Sequence, residues 1–164
     1  MSINKYQPHV WLIPEDDANR QIAVGFRAHG AVDVRRVGIS DPAGGWGHVC
    51  DVFETEFVPY LRAYQNGHVV MLIDFDEQGE ARRSACAQRI PDDLMTRVFL
   101  IGSMATPEQL RAELSMSYER IGETLARDCS LADLGRWCHP HLSHNLDELR
   151  RMVPILRPII FQGD

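Results

Sequence analysis

A chain of 164 residues with a hydrophobic share of 45% and a charged share of 24% can bury one full core, and nothing in it suggests disorder. Its formal charge of -6 excludes the basic balance of a dedicated nucleic-acid binder. It does not exclude an enzyme acting on nucleic acid, where metal ions and a few arginines offset an acidic whole. No run approaches the roughly 18 apolar residues of a bilayer crossing, and the first apolar run is too short for a signal peptide.

Taken in chain order, Val10-Trp11-Leu12-Ile13 reads as a buried strand that ends in the loop Pro14-Glu15-Asp16-Asp17. Ile22, Ala23 and Phe26 recur at helical spacing from Ala18 to Phe26, with Asp16 or Asp17 as cap. Residues 32–39 alternate as a second strand, and Ser40 to Gly47 form a proline- and glycine-rich loop. A helix is expected from Val49 to Tyr64, stopped by Asn66-Gly67. The run from His68 to Asp74 is the best strand in the sequence, apolar enough to be covered on both faces. A short helix and a further strand, Arg97 to Gly102, follow. Thr106-Pro107 then starts a helix with a good cap. Helices are expected over about 107–126, 130–137 and 145–156, with Pro154 and Pro158 breaking the last. Ile159-Ile160-Phe161 is left as a short apolar terminus.

This order predicts an α/β fold: a small, mostly parallel sheet with helices on both faces. Residues 1–110 form the α/β core, and 111–164 form a helical C-terminal extension packed on the same domain. Cys50, Cys86, Cys129 and Cys138 are widely scattered and read as reduced thiols of a cytoplasmic protein.

Open α/β sheets bind ligands beyond the carboxyl ends of their strands. Two acidic groups fall there, Glu15-Asp16-Asp17 and Asp74-Phe75-Asp76. If the chain stays extended, Asp74 and Asp76 share a face while Phe75 turns into the packing. Carboxylates that converge repel unless a cation joins them, and Mg²⁺ suits such hard oxygen ligands. The plainer reading is a solvated turn rich in cap residues. A calcium loop is excluded, because its twelfth position is Ala85. A haloacid-dehalogenase-like phosphatase is disfavoured by Gln78 and by the third-strand position of the motif.

In combination these pieces resemble a Toprim domain, the metal-binding domain of topoisomerases, DnaG-type primases and OLD-family nucleases. The likeness covers about residues 8 to 110 and is nearest to small stand-alone bacterial Toprim-like proteins. It rests on Glu15 after the first strand, Gly44-Gly45 after the second and Asp74-Phe75-Asp76 after the third. Two positions depart: the usual Glu-Gly is Glu15-Asp16, and Asn19 stands where OLD-like members often carry a second acid. The resemblance implies a phosphoryl-transfer activity such as a nuclease, with Glu15 as general acid or base and Mg²⁺ (or Mn²⁺) held by Asp74 and Asp76. Asp17 and Asn19 would orient water or a second ion, and the Gly44-Gly45 turn would bring amides to a phosphate. Arg82 and Arg83 would contact a nucleic-acid backbone, unless they form a solvated helix face. The alternative is a fold-retaining interaction domain with weakened chemistry.

Other segments imply partners. Gly44-Gly45-Trp46-Gly47 lacks the ending of a Walker motif, so energy coupling of the OLD kind would need an ATPase partner protein. Cys138, His139, His141 and His144, with Cys129, concentrate zinc-type ligands at a spacing that matches no standard finger, and helix-ending histidines explain them as well. Residues 152–156 and 159–161 are core by default; at the surface they would favour a homodimer.

Overall fold

Alternation along the strands decides the layering. In the computed structural model, which describes residues 2–162, four strands run parallel in the order β2-β1-β3-β4. They are β1 (His9–Pro14), β2 (Val37–Ile39), β3 (Gly67–Leu72) and β4 (Val98–Ile101). Val10, Leu12, Val70, Phe99 and Ile101 enter one core; Ile13, Val69, Met71, Val98 and Leu100 enter the other. The expected parallel sheet with helices on both faces is therefore the observed architecture.

The first core is covered by α1 (Asp17–Ala28), α5 (Pro107–Leu114), α6 (Tyr118–Leu131) and α7 (Leu146–Ile160). The second is covered by α2 (Trp46–Val52), α3 (Val58–Ala63) and α4 (Gly79–Ala87). Helices α1 and α6 cross backbone to backbone: a Cβ on Gly25 would fall on Glu119, and one on Gly122 on Ile22.

Several boundaries differ from expectation for local reasons. Residues 34–36 form a 3-10 turn capped by Asp33, which shortens β2 to three residues. The helix expected to Tyr64 widens into a π turn at Phe53–Phe57, ahead of Pro59, which lacks the N–H to continue an α ladder. The helix expected over 107–126 splits at Ser115, which adopts a left-handed conformation (φ 52°). Ser117 then caps α6, which runs on to Leu131, and Arg136–Cys138 is a single 3-10 turn. Pro154 and Pro158 do not break α7. Both lie on its exposed side, while Leu149, Met152, Leu156 and Ile160 are buried along the other. Burying each such side chain gives roughly 1.5–3 kcal/mol, enough to offset the ladder bonds the prolines remove.

The cysteines depart from the reduced state expected of all four. Cys50 of α2 and Cys86 of α4 form a disulfide buried beneath the sheet, 36 residues apart in sequence. Their spacing carried no signal, because it is the packing of α2 against α4 on one face that brings them together. Cys129 is a buried free thiol and Cys138 an exposed one.

The outer edge of β4 is sealed by side chains. Arg151 donates to the Val98 carbonyl, and Glu148 accepts from the Leu100 amide. Arg83 donates to the Leu100 carbonyl, and Asn145 bonds both the amide and the carbonyl of Gly102. At the amino end of the sheet, His9 Nδ1 meets the Gln7 carbonyl, so its Nε2 accepts the Tyr60 hydroxyl at 2.6 Å. Tyr60 in turn accepts the Trp11 indole N–H. Arg97 there caps four carbonyls, those of Leu61, Tyr64, Gln65 and Gly67.

Candidate functional site at the carboxyl ends of β1 and β3

The strand order places a topological switch point between β1 and β3, because the chain leaves β1 towards β2 on one side and β3 towards β4 on the other. A crevice at the carboxyl ends of such a pair is where open α/β sheets take ligands. Glu15 follows β1 and Asp74 follows β3, and they meet there. Glu15 Oε2 accepts the Asp74 backbone N–H at 2.6 Å.

Asp16 belongs to the same cluster. It caps α1 by accepting the Asn19 amide at 2.9 Å. The Asn19 side-chain nitrogen then bridges Asp16 Oδ1 and Asp74 Oδ1, each at 3.1 Å. Asn19 is 6% exposed and Asp74 9%, so the bridge lies inside the protein. Burial raises the Asp74 carboxyl to about 7; Asn19 opposes the rise, while Glu15 and Asp16 add to it by repulsion. Glu15 is also raised by burial, against which the Asp74 and Trp46 amides and Arg82 pull it down.

The other expected residues fall elsewhere. The chain leaves the strand conformation after Leu72, Phe75 is helical (φ -76°, ψ -27°), and Asp76 is left-handed (φ 51°). Asp74 and Asp76 therefore do not share an extended segment, although Phe75 is fully buried as expected. Asp17 points outward, paired with Arg20 and Gln21. Asp16, one residue earlier, is the acid that turns in, and its signal was the N-cap position. Gly44 and Gly45 take positive φ (91° and 143°), and the Gly44 amide donates to the Glu15 carbonyl, so that turn lies against the carboxyl end of β1.

Neither arginine lies on a solvated face. Arg82 donates to the Asp74 carbonyl at 2.6 Å and stacks towards the Trp46 ring, leaving a buried Nε without a partner. Arg83 braces Leu100 and Asn145 over the Phe75 ring.

Among the described residues no group of three or more His, Cys, Asp or Glu is placed to hold a metal ion. At the switch point the position of a second acid is filled by the Asn19 amide, and Oε2 of the Glu15 carboxylate accepts the Asp74 backbone amide. The histidine segment divides in two. His139 and His141 stand on different oxygens of Glu113, at 3.2 and 2.8 Å. His144 packs edge-on against Phe75, with neither ring nitrogen hydrogen-bonded. Cys129 lies apart in the first core, its thiol pushed up to about 12 by burial.

No helix among the described residues is long and apolar enough to cross a membrane. The chain matches no family model, no curated protein and no solved structure.

Proposed function

We propose that this chain is a Toprim-like α/β domain that keeps the acidic switch point of that family and acts through binding, its metal-dependent chemistry weakened. The observation that carries this reading is the Asn19 bridge. A neutral amide joins Asp16 to Asp74 where a cation would otherwise join carboxylates, and the Glu15 carboxylate faces the Asp74 amide. Asp16 Oδ1, Asp74 Oδ1 and Glu15 Oε2 each have a protein donor, so a Mg²⁺ ion using those oxygens would have to displace bonds already made.

A second reading is favoured by the crowding of three carboxylates. Glu15 and Asp16 help hold Asp74 protonated up to about pH 7, and a Mg²⁺ or Mn²⁺ ion would relieve that repulsion. The chain would then be a metal-dependent nuclease with Glu15 as general acid or base, nucleic acid as substrate and an ATPase protein as partner.

Calorimetric titration with Mg²⁺ and Mn²⁺, run beside plasmid nicking, separates the two for wild type and Asp74→Ala. The first reading expects no tight uptake and no nicking that depends on Asp74. Tight uptake and nicking, both lost in Asp74→Ala, would establish the nuclease instead.

A further inference from the structure

Directly behind the Asn19 bridge, between the sheet and α1, α5, α6 and α7, lies a cavity of about 90 Å³. Its walls are apolar, with Leu12, Val70 and Ile101 from the sheet, Ala23 from α1, Leu125 from α6 and Met152 from α7. Apolar voids of this order stay dry: one of about 150 Å³ takes benzene or xenon, and 90 Å³ suits a branched group of a few carbons.

The polarity of the lining is concentrated at one end. The Trp137 indole N–H already donates to the Leu125 carbonyl, which leaves Asn19 and Ser103 as the polar side chains with capacity to spare. Asn19 spends its N–H groups on Asp16 and Asp74, so its carbonyl oxygen is the acceptor left for a ligand. Ser103 Oγ accepts the Ala105 amide, and its O–H remains to donate. Both residues are 6% exposed. Glu15, Asp16 and Asp74 stand beyond this end and make the potential there negative.

We propose that the cavity is a binding site for a small branched aliphatic molecule with a positively charged or uncharged hydrogen-bonding head. The alkyl group fills the space between Leu12, Ala23 and Leu125. The head lies between Asn19 and Ser103 and faces Asp74. The apolar walls set the size of the tail, and the carboxylates reject an anionic head. This site requires neither a metal nor a nucleic acid, and so stands apart from both readings above.

Isobutylamine, isobutanol and isobutyrate share one tail and differ in the head. Titrated into isotopically labelled protein at pH 7.5, the amine and the alcohol are expected to move the methyl resonances of Ile101 and Leu125 saturably. Isobutyrate is expected to bind at least about tenfold more weakly. Ala23→Leu fills the void from α1 and should abolish the shifts of all three while melting no lower than wild type. If that variant fails to fold, Leu125→Phe fills the void from α6 with the same expectation. The proposal is overturned if no probe gives saturable shifts at millimolar concentration, if isobutyrate binds as well as the amine, or if a folded, filled variant still binds.

Discussion

The two ends of the sheet treat their polar side chains in opposite ways. At the amino end each donor finds an acceptor: Trp11 to Tyr60, Tyr60 to His9, His9 to Gln7, and Arg97 to four carbonyls. At the carboxyl end, by contrast, carboxylates are crowded, Asp76 is left-handed, and the buried Arg82 Nε and both His144 nitrogens lack partners. A satisfied network of the first kind holds a fold together. Unrelieved strain and unmatched charge of the second kind collect where a protein meets something else. The switch point is thus singled out twice, by topology and by what it leaves unsatisfied.

The contrast predicts that substitutions at the carboxyl end can stabilise the protein, whereas those at the amino end only weaken it. The largest effect is expected at Asp74. It keeps its proton in the fold at pH values where the unfolded chain has released it. Its contribution is therefore complete below the ordinary value of 3.8 and is lost as pH rises through about 7. Asp74→Asn preserves the neutral form, so it should raise unfolding free energy by about 3 kcal/mol at pH 8 and leave it unchanged at pH 4. Urea titrations at the two pH values test this, and a destabilised variant at pH 8 would break the comparison.

His144 should show the reverse limb. Burial, and then Arg83, hold its imidazole down to about 4, so the fold keeps it neutral. Its stabilising contribution is full above the unfolded value of 6.5 and is lost as pH falls from there towards 4. Allowing for partial solvent screening, the loss is about 2 kcal/mol. His144→Leu should flatten this acid limb in a pH series of thermal melts, while an unchanged slope would assign the limb to other groups.

At the amino end, Tyr60→Phe strips His9 Nε2 and Trp11 Nε1 of their partner together. The expected cost is about 1.5 kcal/mol, read from the urea midpoint at pH 7, with no effect on any ligand titration. A neutral outcome would mean that solvent replaces the hydroxyl and that the amino end is less tightly committed than its distances suggest. The smallest effect is expected at Asp76, whose left-handed backbone suits glycine. Asp76→Gly should gain about 0.5 kcal/mol, the relief of strain being partly offset by the freer unfolded chain. A measurable loss would point to a side-chain role for Asp76 that outweighs its backbone.

Legibility in the sequence followed the range of the interactions. The parallel strands were legible because continuous apolar runs such as Val69 to Ile73 allow few alternatives to a doubly covered sheet. The arrival of Glu15 and Asp74 at one crevice followed from the same reading. What failed was the step from two residues in sequence to two side chains on one face, because β3 ends at Leu72 and the chain coils at Phe75. Asp16 was visible as a cap but not as the inward acid, since that depends on how α1 leaves β1. The pairing of Cys50 with Cys86, the seat of His139 and His141 on Glu113, and the inward turn of Arg82 and Arg83 are contacts between distant segments. Local periodicity carries no trace of them. The prolines of α7 misled for the opposite reason: a strong local rule was overridden by burial along the far side of the helix.

The sealed margin of β4 bears on how this protein associates with others. Arg83, Asn145, Glu148 and Arg151 already occupy the hydrogen-bonding positions that an added strand would use. A peptide or a second copy joining the ladder there would have to expel four side chains, two of them arginines fixed to backbone carbonyls. That margin therefore resists strand exchange and fibril growth, the usual hazards of an open sheet. Strand addition at the sheet is then confined to the short opposite edge, the three residues of β2.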